Sequence, residues 1–519
     1  MVGKSRRWLT TAPLANLTSL PAWVGITAIF AGWAAVQLLT AGQAPGLHFD
    51  EAWAILRAHQ IAEGARPLNG MNEYTGGLHL YLLAGILEVF GYGVGALRSA
   101  TVLLNAAAFA LLCAAVHRLW KDPVTTMLAG ALYFSLPLFA GFGRMGTEIT
   151  AVVPFLLAAA GYLGVRAFGG SRFRGWLLLG AGILVGLAAF THIIALAVPA
   201  ALGVLVVLSG LRRPRELVRW WPFVVGAGLA FAPRIAGFVS SGSLPRGNIF
   251  IFDPRVVDLP ALPTTVAALW DGGLIYLRFT GLQPDWLVLP ITSLLIILTV
   301  VFRAYAVVRG SGFAVRELAP AAALLLAVLF VVVITPAFSI RYFLLPSLLL
   351  PVVIARAGGL AAKNATAPMK MTAAAVFTVV CGWHLAGQSI GLVSPHLRGT
   401  NECAVFSIGK RLVETSCHFA DAGALYAYLT EQRVRNVFTD VSVRWPLQVL
   451  DLENGRLNVR PFGASAARNY GRSAIVAYDA ERAFATFGPK LREASSIGIG
   501  GGRFVRGPDS PRNFLVFMD

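Results

Sequence analysis

Long apolar runs, separated by short polar connections, occupy the first three-quarters of the chain. Each run reaches or approaches the roughly 20 residues that a helix needs to cross a bilayer, and a helix satisfies its own backbone hydrogen bonds there. The pattern predicts an α-helical polytopic membrane protein with about eleven transmembrane helices; the number depends on how the continuous stretch 176–211 is divided. The expected crossings lie near 22–41, 97–119, 123–142, 149–167, 176–192, 194–211, 220–240, 286–307, 318–335, 342–359 and 372–391.

After residue 391 the pattern changes, because hydrophobicity falls and charges of both signs appear. Ala422–Arg433 has helical spacing, whereas Val434–Thr439, Ala474–Tyr478 and Phe514–Met518 read as strands. We therefore expect two domains, a transmembrane catalytic domain over 1–391 and a small soluble α/β domain over 392–519.

Two further segments are long enough to form structure outside the membrane. In the first, 42–96, Ala52–Glu63 reads as a short helix ended by Gly64, and 76–91 reads as an interfacial helix. A crossing at 76–91 would reverse the charge pattern of all later connections. The second, 241–285, is rich in Pro and Gly and is expected to pack against the membrane face.

The charge distribution changes how the large positive net charge is interpreted. The chain is 56% hydrophobic and 13% charged, with a net charge of +18. The basic residues occupy every second connection, as the positive-inside rule expects. We therefore expect a multi-pass protein of the cell (inner) membrane, with its N-terminus in the cytoplasm and its C-terminal domain on the periplasmic or extracellular side. The basic residues are explained by topology, so we expect no nucleic-acid partner. The clusters contain Lys4, Arg6 and Arg7; Arg118 and Lys121; Arg166, Arg172 and Arg174; Arg212, Arg213, Arg215 and Arg219; Arg303, Arg309 and Arg316; and Arg356, Lys363 and Lys370.

The N-terminus and the cysteines agree with this topology. The first apolar run resembles a signal sequence, but it is long for a cleaved one, so we expect an uncleaved anchor. Cys113 and Cys381 lie within spans and are expected to be core residues. Cys403 and Cys417 fall in the external domain, where a disulfide is plausible; the sequence leaves their pairing open.

The tetrad His48-Phe49-Asp50-Glu51 follows directly on the first span. Two adjacent carboxylates at a membrane surface are costly and indicate a function. Neighbouring residues on a helix diverge by about 100°, so only one carboxylate can point into a given pocket. Asp50 also suits the N-cap of the following helix, and a cap position is compatible with catalysis because it projects a carboxylate from a rigid element.

Arginines at predicted external span ends are a second candidate set, because topology disfavours cations on that side. Arg98, Arg144, Arg278 and Arg341 could hold a lipid phosphate; the alternative for each is snorkelling, or pairing with Glu148 or Asp285. Glu148 is equally open to a structural salt bridge or a role as a metal or acceptor ligand. The three histidines at external positions could join the carboxylates in a metal site, although their spacing matches no compact zinc motif. They are His48, His79 and His192.

These motifs together resemble the GT-C superfamily of membrane glycosyltransferases, in particular the protein O-mannosyltransferase and aminoarabinose-transferase group and its bacterial homologues. The resemblance covers roughly residues 20–360. It rests on Phe49-Asp50-Glu51, on Gly77-Leu78-His79-Leu80-Tyr81-Leu82 leading to Phe90-Gly91, on Ala96-Leu97-Arg98, and on Arg341-Tyr342 with Pro346.

The resemblance implies a site and a reaction. Asp50 would be the catalytic carboxylate, with Glu51 in support. A polyprenyl-phosphate-linked sugar would be the donor, and the acceptor would be a glycan, a lipid or a protein. Some members also require a divalent metal ion. Arg98, Arg144, Arg341 and Tyr342 would contact the donor phosphate, and His48, His79 and Glu148 would bind substrate.

A single base without a covalent nucleophile favours transfer to a hydroxyl with inversion. The competing class is a lipid or glycolipid transporter or flippase, and a third is an inactive scaffold whose external domain binds a partner. Against a transporter, no predicted span carries a charged residue near its centre and no inverted repeat is evident.

Overall fold

The computed structural model describes seventeen parts of the 519-residue chain. The predicted crossing near 286–307, Arg278, the cysteines Cys403 and Cys417, and the loop 241–285 after its first residue lie outside the described residues. The described residues are 20–42, 46–72, 74–136, 139, 143–168, 172–210, 217–241, 315–334, 340–364, 366–393, 405–408, 411–415, 422–461, 472–478, 496–499, 502–506 and 514–518.

Helices dominate the described part up to residue 393. Three short helical turns, Ile193–Leu196, Ile340–Phe343 and Leu344–Ser347, connect the longer ones. The longer helices are α1 Leu20–Leu39, α2 Phe49–Ala62, α3 Leu78–Phe90, α4 Val94–Trp120, α5 Pro123–Ser135, α6 Val152–Phe168, α7 Arg174–Thr191, α8 Ala197–Gly210, α9 Trp221–Ser241, α10 Val315–Ile334, α11 Leu350–Asn364 and α12 Ala367–Val393.

Four of the described helical segments are long and apolar enough to cross a membrane: Val94–Trp120, Arg174–Thr191, Leu344–Lys363 and Ala367–Ala386. Shorter apolar helices occur at Phe30–Leu39, Leu78–Phe90, Val152–Phe168, Ile193–Leu208 and Ala319–Val333. The protein is thus a polytopic helical membrane protein, while the number of eleven crossings stays a prediction. The segment 76–91, expected as an interfacial helix, forms the thirteen-residue α3.

Within the predicted crossing 123–142, helix α5 ends at Ser135. Leu136 leaves the helix with φ −66° and ψ 125°, an extended conformation. The next residue in the sequence is Pro137, and a proline disfavours helical backbone in the residue before it. The apolar run continues past this point, so hydropathy alone does not mark the end.

Aromatic rings fill the core between α1, α4 and α5. The Phe109 ring stacks on Tyr133 at 5.0 Å between centroids and lies 6.1 Å from Trp33. Cys113 and Cys381 are buried and free, which confirms them as core residues. The Ser135 hydroxyl donates a hydrogen bond of 3.3 Å to Cys381 Sγ, which joins α5 to α12.

The C-terminal part contains a six-stranded mixed sheet, with order β4-β3-β5-β8-β7-β6, and a separate hairpin of β1 and β2. Strand β3 is parallel to β4 and β5, and the other neighbours are antiparallel. The strands are β1 Val405–Ile408, β2 Arg411–Thr415, β3 Asn436–Thr439, β4 Asn458–Pro461, β5 Ser473–Tyr478, β6 Ser496–Ile499, β7 Gly502–Arg506 and β8 Phe514–Met518.

Two helices accompany the sheet, α13 (Ala422–Glu431) and α14 (Val441–Leu450). The predicted helix at 422–433 and the three predicted strands thus all have counterparts in the structure. Helix α14 packs against α2, so the C-terminal part contacts the segment that carries the acidic pair. Its division from the membrane part at residue 391 stays a prediction.

Candidate active site

The acidic tetrad forms the beginning of α2. His48 is the N-cap, since its Nδ1 accepts a hydrogen bond of 3.1 Å from the Asp50 amide. In return, the His48 amide donates to Glu51 Oε2 at 3.1 Å. The expectation that Asp50 caps a helix beginning at Ala52 is therefore wrong. The helix begins at Phe49 because the imidazole of His48 accepts a hydrogen bond from the Asp50 amide, which has no acceptor within the helix.

Glu51 turns into the protein and meets Arg98 of α4. Arg98 Nε donates to Glu51 Oε1 at 2.9 Å, and Nη2 donates to Oε2 at 2.6 Å. Arg98 also donates to the carbonyls of Ala41 and Gly46, at 3.3 and 2.9 Å. Both charged side chains have no solvent-accessible surface. The geometry thus supports a role for Arg98 as the partner of Glu51, which differs from the phosphate contact predicted for it.

The segment between α5 and α6 supplies a third partner of Glu51. The Gly146 amide donates to Glu51 Oε1 at 3.0 Å. Burial would raise the pKa of Glu51, but Arg98 and the Gly146 amide outweigh it and hold the pKa below its ordinary value. A Cβ at Gly146 would overlap the Leu97 side chain, so the approach of this backbone to Glu51 needs glycine.

His79 contacts the same glycine from the other side. Its Nε2 lies 3.2 Å from the Gly146 carbonyl oxygen, which can only accept, so Nε2 carries the hydrogen. His79 is buried, and burial lowers the pKa of its imidazole to about 4 despite the Gly146 contact. The ring is therefore neutral at physiological pH. A single residue, Gly146, thereby links the predicted substrate ligand His79, through its carbonyl, to Glu51, through its amide.

Asp50 has different surroundings from its neighbour Glu51. Its side chain is 8% exposed, and Oδ2 lies 3.7 Å from His48 Nδ1. That nitrogen accepts the Asp50 amide hydrogen, so in a neutral ring the proton sits on Nε2. The two adjacent carboxylates thus diverge, as helix geometry requires.

The remaining predicted residues lie at separate places around this centre. Arg144 is buried, and its Nη1 donates to the Thr40 hydroxyl at 3.0 Å, beside the end of α1. Glu148 follows on the same segment and is half-buried. Arg341 lies in the helical turn Ile340–Phe343, and its side chain lies outside the described part.

Tyr342 belongs to a small aromatic cluster that the sequence did not predict. Its hydroxyl lies 3.4 Å from the Tyr74 hydroxyl, and the His192 ring is 5.4 Å from each of the two rings. His192 Nδ1 accepts from the Ile194 amide at 3.2 Å and so caps a short helical turn. The structure thus brings Tyr342 and His192 together.

A divalent metal does not fit the described acidic and histidine side chains. Among them, no group of three or more His, Cys, Asp or Glu residues is arranged to hold a metal ion. Glu51 is bound by Arg98 and Gly146, His48 Nδ1 by the Asp50 amide, and His79 Nε2 by a carbonyl. The described residues therefore offer no complete set of metal ligands.

Sequence reasoning missed two residues of this site. The first is Gly146, whose amide contacts Glu51 and whose carbonyl contacts His79. Trp445 lies in α14, far away in the sequence, and its ring stacks on Phe49 at 6.1 Å between centroids. A glycine has no side-chain signal, and the contact between α14 and α2 depends on tertiary packing; neither leaves a local pattern.

The fold matches that of a solved membrane enzyme. The crystal structure of ArnT from Cupriavidus metallidurans, bound to undecaprenyl phosphate, superposes with a TM-score of 0.59. The match covers 95% of this chain and 98% of that one, at 12% sequence identity. The chain therefore has the fold of this ArnT structure. The likeness agrees with the expected polytopic helical membrane protein, while the number of crossings and the separate C-terminal domain stay predictions.

Two sequence comparisons each match a limited part of the chain. The family model for dolichyl-phosphate-mannose-protein mannosyltransferase matches residues 77–236. The undecaprenyl phosphate-α-4-amino-4-deoxy-L-arabinose arabinosyl transferase of Pseudomonas aeruginosa (strain UCBPP-PA14) is 33% identical over 95 residues. That match covers 18% of this chain and only 17% of the relative. The archaeal oligosaccharyltransferase AglB of Archaeoglobus fulgidus superposes more weakly, with a TM-score of 0.47 at 11% identity over 86% of this chain and 65% of that one.

Proposed function

We propose that the protein transfers a sugar from a polyprenyl-phosphate-linked donor to a hydroxyl acceptor, with inversion, at the external face of the membrane. The observation that carries this proposal is the division of the acidic pair. Glu51 is completely buried against Arg98, whereas Asp50 remains at the start of α2 with part of its side chain accessible. The GT-C fold and the undecaprenyl phosphate bound to the ArnT relative support the class of donor.

In this proposal Asp50 is the general base. A hydroxyl is a weak nucleophile, so a carboxylate that accepts its proton during attack on the anomeric carbon lowers the barrier. The bond from the anomeric carbon to the acceptor oxygen forms as the bond to the phosphate oxygen breaks. The phosphate leaves with the electron pair, and Asp50 keeps the proton.

The leaving phosphate develops negative charge that cationic groups stabilise. Arg144 and Arg341, with Tyr342, remain our proposed contacts for it. Arg144 is held at the end of α1 by its hydrogen bond to Thr40. Arg98 instead fixes Glu51, and Glu51 fixes the helix start through the His48 amide. His48, His79 and Glu148 remain proposed substrate-binding residues. His48 also positions the Asp50 backbone, because its Nδ1 accepts the Asp50 amide.

The proposed reaction implies a topology. Asp50 must face the compartment where a lipid-linked sugar is presented, so we place the N-terminus in the cytoplasm and Asp50 outside the cell (inner) membrane. The domain at 392–519 then lies on the periplasmic or extracellular side, where it can contribute to the choice of a glycan, lipid or protein acceptor.

Proteoliposomes separate a transferase from a flippase. Purified protein would be reconstituted with a radiolabelled polyprenyl-phosphate sugar and an envelope extract as the source of acceptor. Two quantities would be measured, label in the acceptor and movement of the donor between leaflets. Transfer without accelerated movement supports the proposal, whereas accelerated movement without transfer overturns it. The anomeric configuration of the product, determined by NMR, would test inversion.

A further inference from the structure

Helix α14 has two buried faces that point in different directions. Val443 and Leu447, four residues apart, belong to the core of the C-terminal sheet. Val449 and Trp445, also four residues apart, pack with residues of α2 and α3. Residues at this spacing share one side of a helix. Therefore α14 connects the sheet core rigidly to the segment that carries the acidic pair.

The contact on α2 is aromatic and lies at its first turn. The Trp445 ring is 6.1 Å from Phe49, with an interplanar angle of 27°, and 6.5 Å from Trp53, at 57°. Phe49 in turn lies 4.5 Å from the His48 ring. All three distances fall within the range of favourable aromatic pairing. Trp445 thus reaches the N-cap of α2 through a single intervening ring.

Helix α14 is itself well anchored where it meets α2. Its N-cap Asp440 accepts hydrogen bonds from the amides of Ser442 and Val443, at 2.6 and 3.3 Å. Arg444 places its guanidinium carbon 5.9 Å from the Trp445 ring centre. A capped helix with one side in a sheet core is a rigid platform.

Asp50 therefore lies between two residues that are held by different parts of the protein. Glu51, after it, is fixed by Arg98 of the membrane part. Phe49, before it, is stacked on Trp445 of the C-terminal part. The backbone of Asp50 cannot rotate about the helix axis without breaking one of these contacts.

We propose that Trp445 is a positioning residue, through which the C-terminal part holds the Asp50 carboxylate in its reactive orientation. This inference rests on the proposed function, because it assigns Trp445 a role in the same reaction. It makes the C-terminal part a component of the catalytic geometry as well as a surface for the acceptor.

The kinetic test compares three variants of the full-length protein. Trp445→Ala removes the ring, Trp445→Phe keeps an aromatic ring, and Val441→Ala is the control at an exposed position of the same helix. A misplacement of about 1 Å can cost roughly 100-fold in rate, so we expect kcat of Trp445→Ala to fall by about 10- to 100-fold. The donor and acceptor KM should stay within about twofold, Trp445→Phe should recover most of the rate, and Val441→Ala should match the wild type.

Two kinetic results would overturn the proposal. One is an unchanged kcat in Trp445→Ala. The other is a raised acceptor KM at unchanged kcat, which would make Trp445 a direct acceptor contact.

A second measurement does not depend on transfer. Hydrogen exchange of a peptide spanning 46–56 reports the opening of the first turn of α2. We expect exchange there to be about tenfold faster in Trp445→Ala than in Val441→Ala, which corresponds to a modest local loosening. Equal exchange in the two variants would contradict the positioning role. If the wild type transfers no sugar, the proposed function fails, and the exchange result still decides whether Trp445 holds α2.

Discussion

Glu51 and Arg98 form a bidentate ion pair, with hydrogen bonds of 2.9 and 2.6 Å, and both side chains are completely buried. The pair joins α2 to α4, and Glu51 also receives the amides of His48 and Gly146. A buried charge of this kind is tolerated only when its hydrogen bonds are satisfied. Glu51 is thus the structural carboxylate of the pair, and our proposal assigns the chemistry to Asp50.

The ion pair predicts a strong coupling between two substitutions. Glu51→Gln or Arg98→Met leaves one buried charge without its partner, and each should lower the free energy of unfolding by about 3–5 kcal/mol. The double variant should lose clearly less than the sum, with a coupling of about 1–3 kcal/mol. Chemical unfolding in detergent would measure all three. Arg118→Met, at an exposed position of the same helix, is the control and should change stability by about 0.5 kcal/mol or less. Additive losses would contradict the pairing.

Gly146 is expected to be intolerant of even a methyl group. In Gly146→Ala the new Cβ would overlap Leu97, which precedes Arg98, and push the backbone away from Glu51. We expect a loss of about 1–3 kcal/mol in the free energy of unfolding, as for other overpacked sites. Gly85→Ala in α3 is the matched control, since a Cβ there meets nothing within 4 Å. Equal stability of the two variants would show that the Gly146 contact is not needed.

His79 should make the protein sensitive to mild acid. Its pKa is lowered from 6.5 to about 4 in the folded protein. Between these values the unfolded chain binds the extra proton, so stability falls as the pH drops from 6.5 towards 4. The full effect is about 3 kcal/mol.

His79→Gln keeps a donor for the Gly146 carbonyl but does not titrate in this range. We therefore expect its unfolding temperature to fall less than that of the wild type between pH 7 and pH 4, about the range in which histidine charge changes. His59→Gln, on the partly exposed side of α2, is the control and should follow the wild type. If His79→Gln and the wild type lose stability in parallel, the imidazole is not buried in its neutral form.

The helices of the membrane part were largely predictable, and their ends were less so. The apolar run at 22–41 became α1 at Leu20–Leu39, because the hydrophobic pattern itself determines which residues face lipid or core. The end of the short helix before Gly64 could also be predicted. Gly64 has a φ of 108°, a conformation that favours glycine. The start of α2 was missed, because histidine is an unusual N-cap and only the structure shows its Nδ1 accepting the Asp50 amide.

The site could be predicted only as a set of residue types. A carboxylate pair and external arginines marked the right region, but the partner of each depends on packing between distant segments. Arg98 meets Glu51 across 47 positions, and Gly146 meets it across 95. The sequence alone therefore predicts Arg98 as a phosphate contact and does not predict its ion pair with Glu51. The role of Trp445 has no local signal, because it depends on packing between α14 and the distant helix α2.

The most direct test of the account is sugar transfer by Asp50→Asn, measured beside the wild type with the same polyprenyl-phosphate donor. This substitution leaves the Asp50 backbone amide, which donates a hydrogen bond to His48 Nδ1, unchanged. We expect kcat to fall by about 100- to 10,000-fold, the usual contribution of a general base. The unfolding temperature should stay within about 2 °C of the wild type, so that lost activity is not lost folding. Transfer at the wild-type rate by well-folded Asp50→Asn would contradict the assignment of Asp50 as the catalytic base.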